Sequence, residues 1–216
     1  MVQAKVAVIG SGIVGQVLAE GFLKHGYAVV RASREPAKMK DWQLQAGPNA
    51  EIDQVSDAVK AASLVVLAVK GRAAEATIEL CGADNLAGKV VIDATNPIRE
   101  EPPQGGVLRF FTNLDESLME RLQARAPQAR FVKAFSCVGN AQMVNPDYGG
   151  LKPTMFICGN DADAKAQVGT ILERFGWESE DMGGAEAARA IEPLCMLWCI
   201  PGFLRNQWGH AFKLLK

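Results

Sequence analysis

Four consecutive apolar residues, Val6-Ala7-Val8-Ile9, run directly into Gly10-Ser11-Gly12-Ile13-Val14-Gly15, and an amphipathic stretch follows at once. A buried strand, a glycine-rich turn and a helix in that order constrain the chain to few folds, because this turn grips the phosphates of a dinucleotide at a helix N-terminus. Gly10 permits the tight turn, Gly12 puts no Cβ between backbone and pyrophosphate, and Gly15 lets the helix pack closely on the strand. Unpaired N–H groups there, with roughly half a positive charge of helix dipole, favour an anion. A GxGxxG pattern by itself also occurs in flexible turns. Here the strand before it, and the apolar residues at 17, 18, 22 and 23 sharing one helical face after it, favour the nucleotide. Gly10, Ser11, Gly12, Ile13, Val14 and Gly15 are therefore assigned to cofactor binding.

A second strand is expected at Tyr27-Ala28-Val29-Val30, with the residue that meets the adenosine ribose at its end. An acid about twenty residues beyond the first glycine would hydrogen-bond the 2′-hydroxyl of NAD. Arg31-Ala32-Ser33-Arg34 instead supplies a hydroxyl and two guanidinium groups. A carboxylate would repel a 2′-phosphate, whereas Ser33 and Arg34 can hold one by charge-assisted hydrogen bonds, so NADP(H) is expected rather than NAD(H). For Arg31, a phosphate contact and a solvated position in the loop both stay open.

At 216 residues and 49% hydrophobic, the chain is long enough for one well-buried α/β domain with little left for a second. A net charge of −1 provides no field for nucleic acid or an anionic membrane, and neither is an expected partner. No uninterrupted run of 18 apolar residues marks a membrane span, and the N-terminus opens on a strand rather than a basic segment and an apolar core. A cytoplasmic chain is expected. The five cysteines, at 81, 137, 158, 195 and 199, form no CxxC pair and read as reduced thiols. Cys195 and Cys199 lie four apart on an expected helix but have no matching His or Cys pair, so no metal is expected.

Further along, 35–45 reads as a short helix with Pro36 at its start, and 53–62 as another. Leu64 to Val69 and Lys89 to Asp93 are continuous apolar runs, the mark of parallel strands covered on both faces, with a helix at 72–81 between them. An irregular excursion spans 95–113. Then come a helix at 114–125, strands at 130–135 and 154–158, a helix at 161–175 and a last strand at 177–181. A helical stretch runs from about Ala185 to the C-terminus, broken near Pro193 and Pro201-Gly202. The expected fold is α/β: a Rossmann-type, doubly wound, mostly parallel sheet with a short C-terminal helical extension. It forms a single NADP-binding domain over 1–216, with the core at about 1–183 and the helical segment at about 184–216.

An ordered set of segments extends beyond the N-terminal motif. It comprises Ala32-Ser33-Arg34, Asp93-Ala94-Thr95-Asn96-Pro97, Val132-Lys133-Ala134-Phe135, Asn145-Pro146 and Cys158-Gly159-Asn160-Asp161. The last block, Asp181-Met182-Gly183 with Ala187-Ala188-Arg189 and Glu192-Pro193-Leu194, is the most distinctive. Together they resemble the deazaflavin coenzyme F-420 (F420)-dependent NADP oxidoreductases and their bacterial dinucleotide-binding relatives, over nearly the whole chain. The cytosolic reductase domain of the mammalian metalloreductases with six membrane spans is similar too.

The resemblance implies hydride transfer between NADP(H) and a second, flat redox partner, coenzyme F-420, FMN or FAD, in the cleft beyond the strand ends. Both carriers bring their own reactivity, so no catalytic residue is assigned. It places Thr95, Asn96 and Pro97 near the nicotinamide ribose and Val69 with Lys70 beside the cofactor, although a solvated Lys70 is also open. Ser136, Cys137 and Val138 are implied to bind substrate on the nicotinamide and acceptor side, with Cys137 read as a pocket-lining thiol rather than a nucleophile. Ser136-Cys137-Val138-Gly139 differs from the histidine-containing segment of the founding deazaflavin enzymes. His25, just before Gly26, reads as a helix cap.

The expected function is NADPH-dependent oxidoreduction of a small-molecule acceptor. The alternatives are reduction of a small carbonyl or imine, and a non-catalytic NADP(H)-binding redox sensor. The aromatic-rich segment 194–212 reads as core, as a homodimer interface or as a floor for the acceptor ring, and a homodimer is expected.

Overall fold

Unbroken apolar strands demand cover on both faces, and the chain supplies it with helices. The structure, a computed structural model, describes residues 4–216. Met1 to Gln3, on which the expected N-terminal character also rests, lie outside the described residues. In chain order the first half comprises β1 (Lys5–Ile9), α1 (Ile13–Lys24), β2 (Ala28–Ala32), a 3₁₀ turn into α2 (Lys40–Ala46), β3 (Ala50–Asp53), α3 (Val55–Ala61) and β4 (Leu64–Leu67). It continues through α4 (Gly71–Cys81), α5 (Ala83–Leu86), β5 (Val90–Asp93), α6 (Leu118–Arg125) and β6 (Arg130–Lys133). These six strands pair in parallel in the order β3-β2-β1-β4-β5-β6. The order reverses between β1 and β4, and in such a sheet ligands bind in the crevice beyond the strand ends at that point.

Successive strand residues face opposite sides, so the two faces can be read directly. Val6, Val8 and Val66 pack with Leu18 and Phe22 of α1, and Ala7, Ile9, Val65 and Leu67 with Val59 of α3, Ile78 of α4 and Leu122 of α6. A second parallel pair, β7 (Thr154–Ile157) and β8 (Glu178–Asp181), encloses α7 (Ala162–Arg174) and joins the main sheet through an antiparallel bridge from Lys133 to Cys158. The side chains of Val168 and Leu172 on α7 complete the α1 face.

Several boundaries differ from expectation. β3 has no counterpart among the expected elements. α6 begins at Leu118 rather than 114, because Ser117 accepts from Glu120 N while Glu120 accepts from Ser117 N, a reciprocal cap that sets the first turn. β6 ends at Lys133, and Phe135 takes φ +62°. The excursion 95–113 contains a small hairpin, with bridges Ile98–Phe110 and Gln104–Val107.

The C-terminal segment is corrected too. It is helical only to Arg205, through a 3₁₀ turn, α8 (Ala188–Ile191) and α9 (Leu194–Arg205). Asn206, at φ 53°, ends α9, and residues 206–216 run back without helix. There Thr154 N donates to Phe212 O at 2.9 Å, and Lys213 pairs with Glu178 at 2.7 Å. Ala185–Arg205 has the length and apolar composition of a membrane span, yet Glu192 in its middle is buried against Lys133 at 2.9 Å.

Glu120 also meets Arg189 of α8, and so joins α6 to the C-terminal segment. The Arg189 hydrogen bonds, with those of Ser117, outweigh burial and hold its carboxyl down at about 2. A lowered folded value means that this stabilisation is present above the ordinary carboxylate range and is lost as pH falls toward about 2. Glu120→Gln is expected to cost about 1 kcal/mol near neutrality, and urea unfolding should show the gap to wild type closing as the pH is lowered to about 3.

Candidate cofactor-binding site

A cleft of about 950 Å³ opens beyond the C-terminal ends of β1, β2, β4 and β5. It runs from Ser33 and Arg34 after β2, across Gly10 to Val14, past Val69 and Lys70 after β4, to Asn96 and Ile98 after β5. The turn is shaped by close backbone approach. A Cβ on Gly10 would lie 2.2 Å from Ala68 O, and one on Gly15 would lie 2.5 Å from Gly10 O. A Cβ on Gly12 would meet no protein atom within 4 Å, so that face is open to a ligand. Neither α1 nor α4 has a side-chain cap, and both N-termini border the cleft, turning unpaired N–H groups and dipole toward it.

Arg31 is neither solvated nor on the cleft. It is 1% exposed, its guanidinium lies 4.6 Å from the Trp42 ring, and Nη2 reaches the carbonyls of Gly10 and Gly12 at 3.4 Å each. Burial pulls its pKa down, opposed by Glu20. Arg31 thus braces the turn from beneath, and strand alternation was the available signal, since it shares a face with buried Val29. Arg34, by contrast, is exposed, and it makes no ion pair among the described residues because Glu35 is taken by Lys38 at 2.9 Å. Ser33 Oγ accepts from Glu35 N at 3.1 Å. The cleft lining carries four basic side chains, Arg34, Lys70, Arg72 and Arg99, against one acid, Glu100, which pairs with Arg72. Arg72, Arg99 and Glu100 were not expected here. The latter two arrive on the 98–110 hairpin, whose fold depends on non-local bridges.

At the β5 end the expected residues separate. Asn96 lines the cleft, donates from Nδ2 to Ser136 O at 3.1 Å, and leaves its buried Oδ1 without a partner. Thr95 and Pro97 are buried and do not line the cleft, and Thr95 Oγ1 is bound to Asp93 at 2.6 Å. Ser136, Cys137 and Val138 are also buried and none lines this cleft. The chain turns at Phe135 and passes under α9, where Cys137 packs with Leu108, Cys195, Trp198 and Cys199. Burial pushes the Cys137 thiol up to about 12, which disfavours the thiolate and agrees with a packed rather than a nucleophilic thiol.

No aromatic residue of 194–212 lines the cleft. Trp198 is core, bonded through Nε1 to His210 O at 2.8 Å. His25 caps α1, as expected, and lies tilted against Phe175, ring centroids 5.1 Å apart. Among the described residues no group of three His, Cys, Asp or Glu side chains is placed to hold a metal ion.

Residues 5–97, which build the cleft from β1 through the Asn96 loop, match the family described as NADP oxidoreductase, coenzyme F420-dependent. The match takes in under half of the chain. An Arthrobacter sp. FB24 protein with a provisional assignment as an F420-dependent NADP-reductase superimposes with a TM-score of 0.92 at 29% identity, covering 99% of this chain and 100% of that one. Metalloreductase STEAP3 of Rattus norvegicus is 31% identical over 209 residues, 93% of this chain and 39% of its own length. Metalloreductase STEAP2 of Homo sapiens is 26% identical over 190 residues, 88% of this chain and 35% of its own. The chain therefore spans well under half the length of those metalloreductases. A reductive aminase from Aspergillus terreus, in complex with NADPH4, shares the fold at a TM-score of 0.68 and 19% identity, over 94% of this chain and 63% of that one.

Proposed function

We propose that this protein is an oxidoreductase of that NADP-dependent family and transfers a hydride between NADP(H), lying along the cleft, and a flat conjugated acceptor of the deazaflavin or flavin class. NADPH supplies the hydride when bound. The chain's own residues hold and orient: Gly12 and the α1 N-terminus take the pyrophosphate, Ser33 and Arg34 the 2′-phosphate, and Asn96 the nicotinamide half. The residues fit such a group, since the glycine cradle is open only at Gly12, and a buried Asn96 Oδ1 waits for a donor. Backbone, apolar and basic side chains dominate the lining, which suits a reaction between two carriers that bring their own reactivity.

The observation that carries the reading is the adenosine end, where Arg34 stands just after β2 with no ion-pair partner among the described residues, the neighbouring Glu35 carboxylate being held by Lys38. A hydrogen bond to a charged group contributes about 1.5–3 kcal/mol, so Arg34→Ala is expected to weaken NADPH binding by roughly ten- to hundredfold. NADH binding should change little, and equal losses for the two cofactors would remove the 2′-phosphate assignment. Anaerobic NADPH oxidation, followed by absorbance with F-420, FMN, FAD and riboflavin in turn, tests the acceptor. Saturable turnover with one of them supports the reading, and turnover with a cyclic imine alone replaces it.

A further inference from the structure

Asp93 and Lys133 are the last residues of β5 and β6, paired in register, and their side chains are fully buried. Lys133 Nζ donates to Asp93 Oδ2 at 2.9 Å, Thr95 O at 2.6 Å and Glu192 Oε1 at 2.9 Å, which uses all three of its protons. Asp93 Oδ1 accepts from Thr95 N at 2.9 Å, and the Glu192 carboxylate accepts from Leu118 N and Met119 N at 3.0 Å each. One ammonium thus joins the end of β5, the first turn of α6 and the C-terminal segment.

Buried ion groups are rarely the most stable way to join two strands. The preceding β5–β6 pairs, Val91–Phe131 and Ile92–Val132, do it with apolar residues. The charged group appears only where the strands end and the cleft begins. What it holds is the peptide between Thr95 and Asn96. Asn96 is confined on three sides: Lys133 takes the preceding carbonyl, Gly71 abuts Asn96 O so closely that a Cβ there would lie 2.0 Å away, and the side-chain amide is bound to Ser136 O. Its buried Oδ1 is left without a partner.

We propose that Lys133 is a positioning residue that, through the Thr95 carbonyl, aims Asn96 Oδ1 at a hydrogen-bond donor on the nicotinamide half of the cofactor. This rests on the proposed course of NADP(H) along the cleft. Because Arg34 and Asn96 lie at opposite ends of it, Lys133 acts on one half of the ligand and leaves the other untouched.

The test compares binding of NADPH and of 2′,5′-ADP, the adenosine half alone, by calorimetry. Proteins compared are wild type, Lys133→Met and the charge-free combination Asp93→Asn, Lys133→Met and Glu192→Gln, each also with Asn96→Ala. Should Lys133→Met fail to fold, the charge-free combination carries the test. The expected result is a loss of about tenfold in NADPH affinity, the size of one hydrogen bond, with 2′,5′-ADP affinity within about twofold of wild type. Asn96→Ala should produce the same split in the wild-type background and add nothing in the charge-free one. Equal losses for both ligands, or a full Asn96→Ala effect in the charge-free background, overturn the proposal. A wild-type protein that binds neither ligand overturns the cofactor reading itself, and the proposal with it.

Discussion

Lys133→Met is expected to destabilise the protein by about 3–5 kcal/mol, and adding Asp93→Asn and Glu192→Gln to recover most of that loss. The substitution removes the one cation between two carboxylates that no water reaches, and what is lost is chiefly the compensation of those buried charges rather than the attraction itself. Burial by itself would push the Lys133 ammonium toward neutrality, but Asp93 and then Glu192 outweigh it and raise its pKa above the ordinary lysine value. In Lys133→Met the orphaned carboxyls should instead take up protons on folding. Their folded pKa values then lie above the unfolded ones, so the variant should regain stability as pH falls from about 8 to about 5. The charge-free variant has nothing left to titrate there and should follow wild type. Urea unfolding of the three proteins at both pH values decides the matter. A single variant whose deficit is the same at both would refute this account of the network.

Gly10→Ala should cost about 3–5 kcal/mol and remove NADPH binding, while Gly12→Ala should leave stability near wild type and impair binding alone. At Gly10 the added methyl meets Ala68 O at 2.2 Å, with φ at +148°, where side chains are rarely tolerated. Nor can the neighbours yield easily. Ala68 N is bonded to Ile9 O at 2.9 Å and Gly10 N to Ala32 O at 2.9 Å, so relief at the turn would pull apart three strand ends. Gly12 has extended backbone and open space where its Cβ would point, so only a ligand would feel the change. Thermal unfolding and calorimetry on the pair separate the two roles. Wild-type stability in Gly10→Ala, or wild-type NADPH affinity in Gly12→Ala, would contradict the assignment.

Much of the fold was legible because strands covered on both faces are written as unbroken apolar runs, as in Leu64-Val65-Val66-Leu67 and Val90-Val91-Ile92. β3 was not, since Ala50-Glu51-Ile52-Asp53 is a four-residue edge strand whose acids face water and whose existence depends on a ladder with β2. The cleft was legible where local geometry makes it, at Gly10 to Val14, Ser33, Arg34, Val69 and Lys70, all of which line it. It was least legible after β5 and β6. There Asn96 reaches the cleft while Thr95 turns back to Asp93, and Ser136 to Val138 disappear beneath α9.

By itself the sequence determined the class of fold, the phosphate turn and the absence of an acid after β2, because each depends on residues within a few positions of one another. The tertiary structure decided which way the remaining side chains look. Arg31 lies under the turn rather than on the cleft, the 98–110 hairpin brings Arg99 and Glu100 to the cleft, and Lys133 is shared between strands and the C-terminal segment. Those placements rest on contacts between residues tens of positions apart. A side chain's partner there is chosen by packing and by the cost of leaving a buried polar group unpaired, and neither is written in local spacing.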